Sequence, residues 1–242
     1  MSEYYSGLEM SVMMAAIVVS LLLFVIGMLI NFKKWGIGSA NVGGEPAAGG
    51  RIGNFCKSLI GSISEKSVHQ SVITTLILDV ILQRRTLRRA PARWVMHMLI
   101  FVGWMGLALI SFIMFFIEVV AADQFEAYRD SFMVANDILG YMILIGITWA
   151  LIRRLVVKKV LENSILYDWT LVIGLFLITV TGFIAQGDGG IISAIPGVAH
   201  STGLSLFHVI ISLLFCIAYI PYSKYVHIIA TPLVLLANGG GE

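Results

Sequence analysis

The sequence predicts an all-α integral membrane protein, a bundle of five transmembrane helices. Its amino terminus lies outside, and a cytoplasmic amphipathic helix sits between the first and second spans. Three observations predict it. Of the 242 residues, 58% are hydrophobic and 12% charged, mean hydropathy is +0.92, and an ordinary soluble domain carries roughly twice that charged share. Apolar runs fall at about 11–32, 94–121, 132–152, 166–185 and 204–222. Each is long enough for a helix to cross a hydrocarbon core of ~30 Å, which takes about 20 residues, whereas a barrel would show short alternating segments. The third observation is the placement of cations, which sets orientation. With the amino terminus outside, the inside segments are 33–93, 153–165 and 223–242, and they hold every one of the sixteen Lys and Arg residues except Arg129. The net charge of +2 then describes a basic cytoplasmic face of a cell-membrane protein and not a nucleic-acid surface. The organisation that follows is a first span at 1–32, a cytoplasmic linker and basic amphipathic segment at 33–93, a four-helix membrane domain at 94–232 and a cytoplasmic tail at 233–242.

The first span, Met10 to Phe32, contains no ionisable residue and reads as a lipid-facing or packing element. It is too long for a signal's apolar core and lacks basic residues before it, so no signal peptide is expected. Gly36 to Gly53 is a Gly/Ala stretch without hydrophobic period, as in a flexible linker. Residues 67–83 put Val68, Val72, Ile73, Leu76, Ile77, Val80 and Ile81 on one helical face and His69, Gln70, Thr74, Asp79 and Gln83 off it. That pattern predicts an interfacial helix or a docking surface for a soluble partner. Its basic tail RRTLRR meets lipid headgroups or an acidic partner, with a simple solvated face as the alternative.

The second span enters at Pro91, a residue suited to a helix start, and carries His97 one turn inside. Gly103 and Gly106 allow close approach of a neighbour or a flat ligand. An outside loop, AADQFEAYRD, leads to a third span with Asn136 and Asp137 near its outer end. The fourth has Asp168 at its inner edge and leaves through TVTGFIAQGDGG. The outer loop 186–203 contains His200. The fifth carries His208 near its start and ends before His227. These two histidines are nineteen positions apart, about 28 Å along a continuous helix, so one imidazole sits near each membrane face.

Chemistry concentrates in the histidines, of which there are five: His69, His97, His200, His208 and His227. An ionisable group within a membrane is costly and marks function by default; an imidazole bonded to a helix carbonyl and locking packing is the alternative. His97 and His227 both lie near the cytoplasmic face on different segments, where two rings can hold one haem as a low-spin, bis-imidazole electron carrier. His208 lies at the opposite face, and one helical span deeper on the second helix the chain offers Leu107 and Met105 but no histidine. The options there are a five-coordinate haem on His208, a Met105 ligand, His200 folding in, or no outer haem. Cys56 and Cys216 are single, with no CxxCH for covalent attachment, so any haem is b-type and non-covalent. There is no phosphate loop, HExxH or Ser–His–Asp set.

RWVMHMLIFVGW (93–104), TGF (181–183) and LFHVIISLLFCIAYIPYSKYVHIIATP (206–232) resemble the cytochrome b subunits of the respiratory nitrate reductase gamma type. The lead-in DVILQRRTLRRAPARWVMH is most similar to the branch serving heterodisulfide reductase in methanogens. The resemblance covers roughly 85–232. It implies the five-helix fold and b-type haems, with His97 and His227 ligating the haem nearest the soluble subunits and His208 one ligand of the outer haem. Where the nitrate reductase pattern has a second histidine on helix two, this chain has Leu107. The spacing from His208 to His227 is also about one residue longer, a rotation of ~100°, which a kink near Pro221 is expected to take up.

Arg93 and Lys224, with Trp94, lie beside the inner haem as propionate partners or as ordinary interfacial anchors. Tyr128, Arg129, Asn136, Asp137 and His200 gather at the outer face, either to accept the protons of a quinol or simply to face water. The function expected is that of a membrane electron-transfer component of an oxidoreductase complex. It oxidises a lipid-soluble carrier (methanophenazine or menaquinol) near the outer face. Electrons then pass by way of b-type haem to a cytoplasmic iron–sulfur subunit on the basic loops, with membrane lipid as the remaining partner. A transporter using the histidines as a proton relay, or a haem-free anchor, are the other readings. The nearly charge-free midplane counts against the transporter.

Overall fold

A computed structural model describes residues 7–39, 52, 53, 56, 60, 61, 72–185 and 202–238. Every regular element among them is helical: α1 (Gly7–Ser39), α2 (Val72–Thr75) running into a π turn (Leu76–Ile81), α3 (Arg84–Arg89), α4 (Pro91–Val120), α5 (Phe125–Val156), α6 (Lys158–Glu162), α7 (Leu166–Ala185), α8 (Thr202–Leu213) with a second π turn (Leu214–Ala218), and α9 (His227–Asn238). Short 3-10 turns occupy Ala122–Gln124, Ile220–Tyr222 and Lys224–Val226. Among the described residues, four helices are long and apolar enough to cross a membrane, at Gly7–Trp35, Pro91–Val120, Phe125–Val156 and Leu166–Ala185. The last apolar helix, Gly203–Ala218, is shorter.

The chain divides into two compact units, Met1–Ile17 with Pro91–Phe215, and Val18–Ala90 with Cys216–Glu242. In the first, α4 and α5 are joined by a short turn and interlock through small residues. A side chain at Gly103 would strike Ile143 and the Leu139 carbonyl, one at Gly106 the Leu139 side chain, and one at Gly146 Leu99 and Ile100. The room left at Gly103 and Gly106 is therefore taken by a neighbouring helix, not by a flat ligand; small residues let backbones meet where lipid gives no hydrophobic drive. Helix α7 packs on α5, with Phe183 lying over Gly140 and its ring centroid 4.7 Å from that of Tyr141. Ile143, Ile147, Ala150, Val172 and Leu175 form the buried core. Helix α8 closes on α7, where the Phe215 ring fills the gap at Gly174 and the Ser205 hydroxyl donates to the Ala185 carbonyl at 3.4 Å.

Several sequence expectations are corrected here. The loop at 121–130 is mostly helical, because α5 already begins at Phe125. Glu126 sits in its first turn, where a carboxylate suits the helix dipole, and pairs with Arg129 at 3.2 Å. Helix α1 reaches Ser39, past Lys33 and Lys34 and into the expected linker; residues 40–51 lie outside the described part. The path from His208 to His227 is not one α-helix. Its irregularity starts with the π turn at Leu214, ahead of Pro221, and a π turn takes up an extra residue within a helix.

In the second unit, α1 is a packing element. Gly27 faces the Pro221 and Tyr222 side chains, the Asn31 amide donates to the Pro221 carbonyl at 2.7 Å, and the Tyr222 hydroxyl donates to the Leu23 carbonyl at 2.9 Å. Residues 72–81 leave Ile73, Leu76, Ile77 and Ile81 exposed, the apolar face expected of an interfacial helix or docking surface, and draw one polar residue of the other face inward. Asp79 is only 7% exposed and Ile73 is 67% exposed. The carboxylate is buried because Arg84 reaches back to it at 3.4 Å, around Gln83, whose φ of 50° makes the turn between them. Helix α9 packs against this stretch. His69 lies outside the described residues.

Removing one partner of a buried pair leaves the other uncompensated, here discounted because Arg84 keeps contact with solvent. Asp79→Ala is expected to cost about 1–2 kcal/mol. Thermal unfolding in detergent should then show a melting temperature lower by roughly 2–8 °C, with part of the loss recovered in the Asp79→Ala/Arg84→Ala double variant. An unchanged melting temperature would remove the pair from the fold's support.

Candidate functional site

Three of the five histidines lie in described segments. His97 stands on α4, half-buried, one turn below Phe101, whose ring is stacked at a centroid distance of 6.4 Å and 20°. Of its sequence neighbours, Arg93 is exposed and Trp94 half-buried. All belong to the first unit.

His208 stands on α8 in the same unit, half-buried, with its ring against α7. The hydroxyl of Thr181 donates to the Ile178 carbonyl at 3.0 Å and lies 3.1 Å from His208 Nδ1. The ring rests in a notch at Gly182, where a Cβ would come within 2.9 Å of Cε1 and 3.3 Å of Nε2. This is a close approach that only glycine permits, and it is what a cradle for an imidazole requires.

His227 opens α9 in the second unit, exposed, with Nδ1 within hydrogen-bond reach of the Lys224 carbonyl one turn back. A carbonyl can only accept, so Nδ1 carries the proton and, in the neutral ring, Nε2 carries the lone pair. Lys224 itself is exposed. Next to it, burial, followed by the charges of Cys216 and Tyr219, pushes the phenol of Tyr225 above its ordinary pKa, so this tyrosine stays a neutral hydroxyl throughout the physiological range.

Of the expected outer cluster, Tyr128 and Arg129 are exposed near the start of α5, and Asn136 and Asp137 are half-buried about two turns further along it. Arg129 is engaged by Glu126. His200 lies outside the described residues. Among those described, no three His, Cys, Asp or Glu side chains come together as ligands of a bare metal ion. The donors present are single imidazoles, each held through Nδ1 in the cases of His208 and His227, which fits a haem, whose iron takes one or two axial ligands. Sequence reasoning about the histidines misses Thr181 and Gly182, although the TGF triplet itself stands out. Their role needs α7 and α8 to be paired, which no spacing within either helix reveals.

A family model, HdrE, that describes the E subunit of dihydromethanophenazine:CoB–CoM heterodisulfide reductase matches residues 73–235. Proteins named as that same E subunit are similar over nearly the whole chain. The one from Methanosarcina acetivorans is 44% identical, covering 99% of this chain and 98% of its own. That from Methanosarcina mazei is 43% identical over 99% of both chains, and that from Methanosarcina barkeri 44% identical over 99% and 98%. No solved structure matches. A match of this length and identity, on a helical chain with four apolar span-length helices, places the protein in the family of E subunits of dihydromethanophenazine:CoB–CoM heterodisulfide reductase, an oxidoreductase complex.

Proposed function

We propose that this chain is the membrane cytochrome b of its complex. It takes electrons from a reduced lipid-soluble carrier near the outer face and delivers them to a cytoplasmic iron–sulfur subunit. The relatives' name supplies the carrier class, a dihydrophenazine; a menaquinol is the carrier of related chemistry. Oxidising one such carrier releases two electrons and two protons, and the heterodisulfide takes up two of each to become two thiols on the partner subunit. The observation that carries the reading is His208, held through Nδ1 by Thr181 in a glycine notch between two apolar helices, a costly arrangement for packing alone.

Haem b, when bound, supplies one-electron storage between a two-electron carrier and one-electron clusters. His97 and His227 would hold the inner haem, and His208 the outer one, alone or together with His200 or Met105. Arg93 and Lys224 neutralise the propionates of the inner haem. Asn136, Asp137 and His200 receive protons at the outer face. The basic segment from Arg84 to Arg93, together with Arg153, Arg154, Lys158 and Lys159, meets the soluble partner on the cytoplasmic side of a cell membrane, a placement supported by the charge bias. Releasing protons outside while electrons move inward adds to the membrane potential.

The test is a reduced-minus-oxidised absorption spectrum of the purified complex, with haem quantified per chain and a water-soluble dihydrophenazine as one reductant. The expected result is b-type bands that the dihydrophenazine brings up. A spectrum without b-type bands overturns the reading in favour of a haem-free anchor.

A further inference from the structure

We propose that Thr181 is the positioning residue for His208 and Gly182 the seat of its ring, so that the TGF triplet decides which imidazole nitrogen is offered to haem. This rests on the reading of His208 as a haem ligand.

The hydroxyl of Thr181 has one proton, and it is spent on the Ile178 carbonyl at 3.0 Å, a bond that threonines in helices commonly make. What remains on that oxygen is lone pairs, and these face His208 Nδ1 at 3.1 Å. The hydrogen-bond network thus assigns the proton to Nδ1, and a neutral imidazole with its proton there bears its lone pair on Nε2. The Ile178 carbonyl is itself a hydrogen-bond partner of the His208 ring and can only accept, so the opposite tautomer would draw the hydroxyl proton away from it and offer no ring proton on Nδ1 in its place.

Orientation comes from the next residue. At Gly182 a Cβ would lie 2.9 Å from Cε1 and 3.3 Å from Nε2, so any side chain there displaces the ring and breaks its alignment with Thr181. The third residue of the triplet, Phe183, anchors the same turn of α7 on α5 through Gly140 and Tyr141. The triplet therefore combines a hydrogen-bond acceptor, a seat and an anchor.

An acceptor on Nδ1–H makes the imidazole more basic and favours the oxidised metal. Removing it raises the reduction potential. A tenfold loss in preference for ferric over ferrous iron, the low end of what losing such a partner costs, is a shift of about 59 mV for one electron.

The experiment compares the intact complex carrying Thr181→Val, Thr181→Ser or His208→Ala with the unaltered one. Haem per chain and a spectroscopic redox titration are the readouts. Thr181→Val is expected to keep the haem and raise one potential by about 59 mV, and Thr181→Ser to restore the original value. Loss of haem in the valine variant with retention in the serine variant also supports the hydroxyl. Loss in both, or an unshifted potential in the valine variant, overturns the role of Thr181 while His208→Ala still loses one haem. If His208→Ala keeps every haem, the ligand reading itself fails and takes this proposal with it.

Discussion

Replacing Gly103 by leucine is expected to prevent assembly of the complex. The first atom added, Cβ, already lies 2.6 Å from Ile143 Cγ1 and 2.7 Å from the Leu139 carbonyl oxygen. A side chain can rotate away from such a clash, but the carbonyl belongs to the backbone of α5 and moves only if the helices part. Overpacking in a well-filled core costs about 1–3 kcal/mol, and three further carbons at a backbone contact exceed that range. Parting α4 from α5 also opens the core around Ile143 and Ile147, which are 3% and 2% exposed. The measurement is the yield of assembled complex in detergent by size exclusion, against Leu109→Ala as the control at an exposed site of the same helix. A complex that assembles normally with leucine at 103 would show that the small-residue contact does not hold this pair of helices.

His97→Ala and His227→Ala are each expected to remove the low-spin, bis-imidazole haem signal. Electron delivery from a reduced dihydrophenazine to the soluble partner should fall by more than about 100-fold, beyond the loss seen when only a partner of a metal ligand is removed. His97 stands on a long apolar helix and His227 on a short one after two 3-10 turns. Loss of the same spectral component from both variants would therefore identify them as one ligand pair. An unchanged low-spin signal in either variant sinks that assignment. Electron paramagnetic resonance of the oxidised complex reads the outcome directly, separately from turnover.

How much of this is legible in the residues differs from element to element. Leu166–Ala185 falls where its apolar run predicts, because hydropathy and length are local properties of a sequence. The start of α5 does not. Glu126 and Arg129 look like a water-exposed loop, although their spacing of three is one that lets them pair on a helical face, as they do at 3.2 Å. Residues 72–81 carry a pattern that predicts an apolar face against lipid or a partner and a polar face in water. The apolar face stays open at Ile73, Leu76, Ile77 and Ile81, but periodicity does not reveal that Asp79 turns inward, because Arg84, which neutralises it, lies beyond the run. His97, His208 and His227 are visible as candidates because an imidazole is rare in an apolar run. The partners of His208 lie on another helix, so they become visible only when α7 and α8 are paired. Asn31 belongs to the same class: nothing local links it to the carbonyl of Pro221.

The π turn at Leu214–Ala218 affects how this chain tolerates change in length. A helix that already holds one residue more than its ladder needs can lose it and revert to regular i→i+4 bonding, leaving the side chains before and after the turn facing as they did. The same deletion within Leu166–Ala185 has no such slack. Everything beyond the cut would turn by about 100°, and upstream of Thr181 it would carry the hydroxyl off the imidazole. Homologous chains one residue shorter between His208 and His227 therefore need no different architecture.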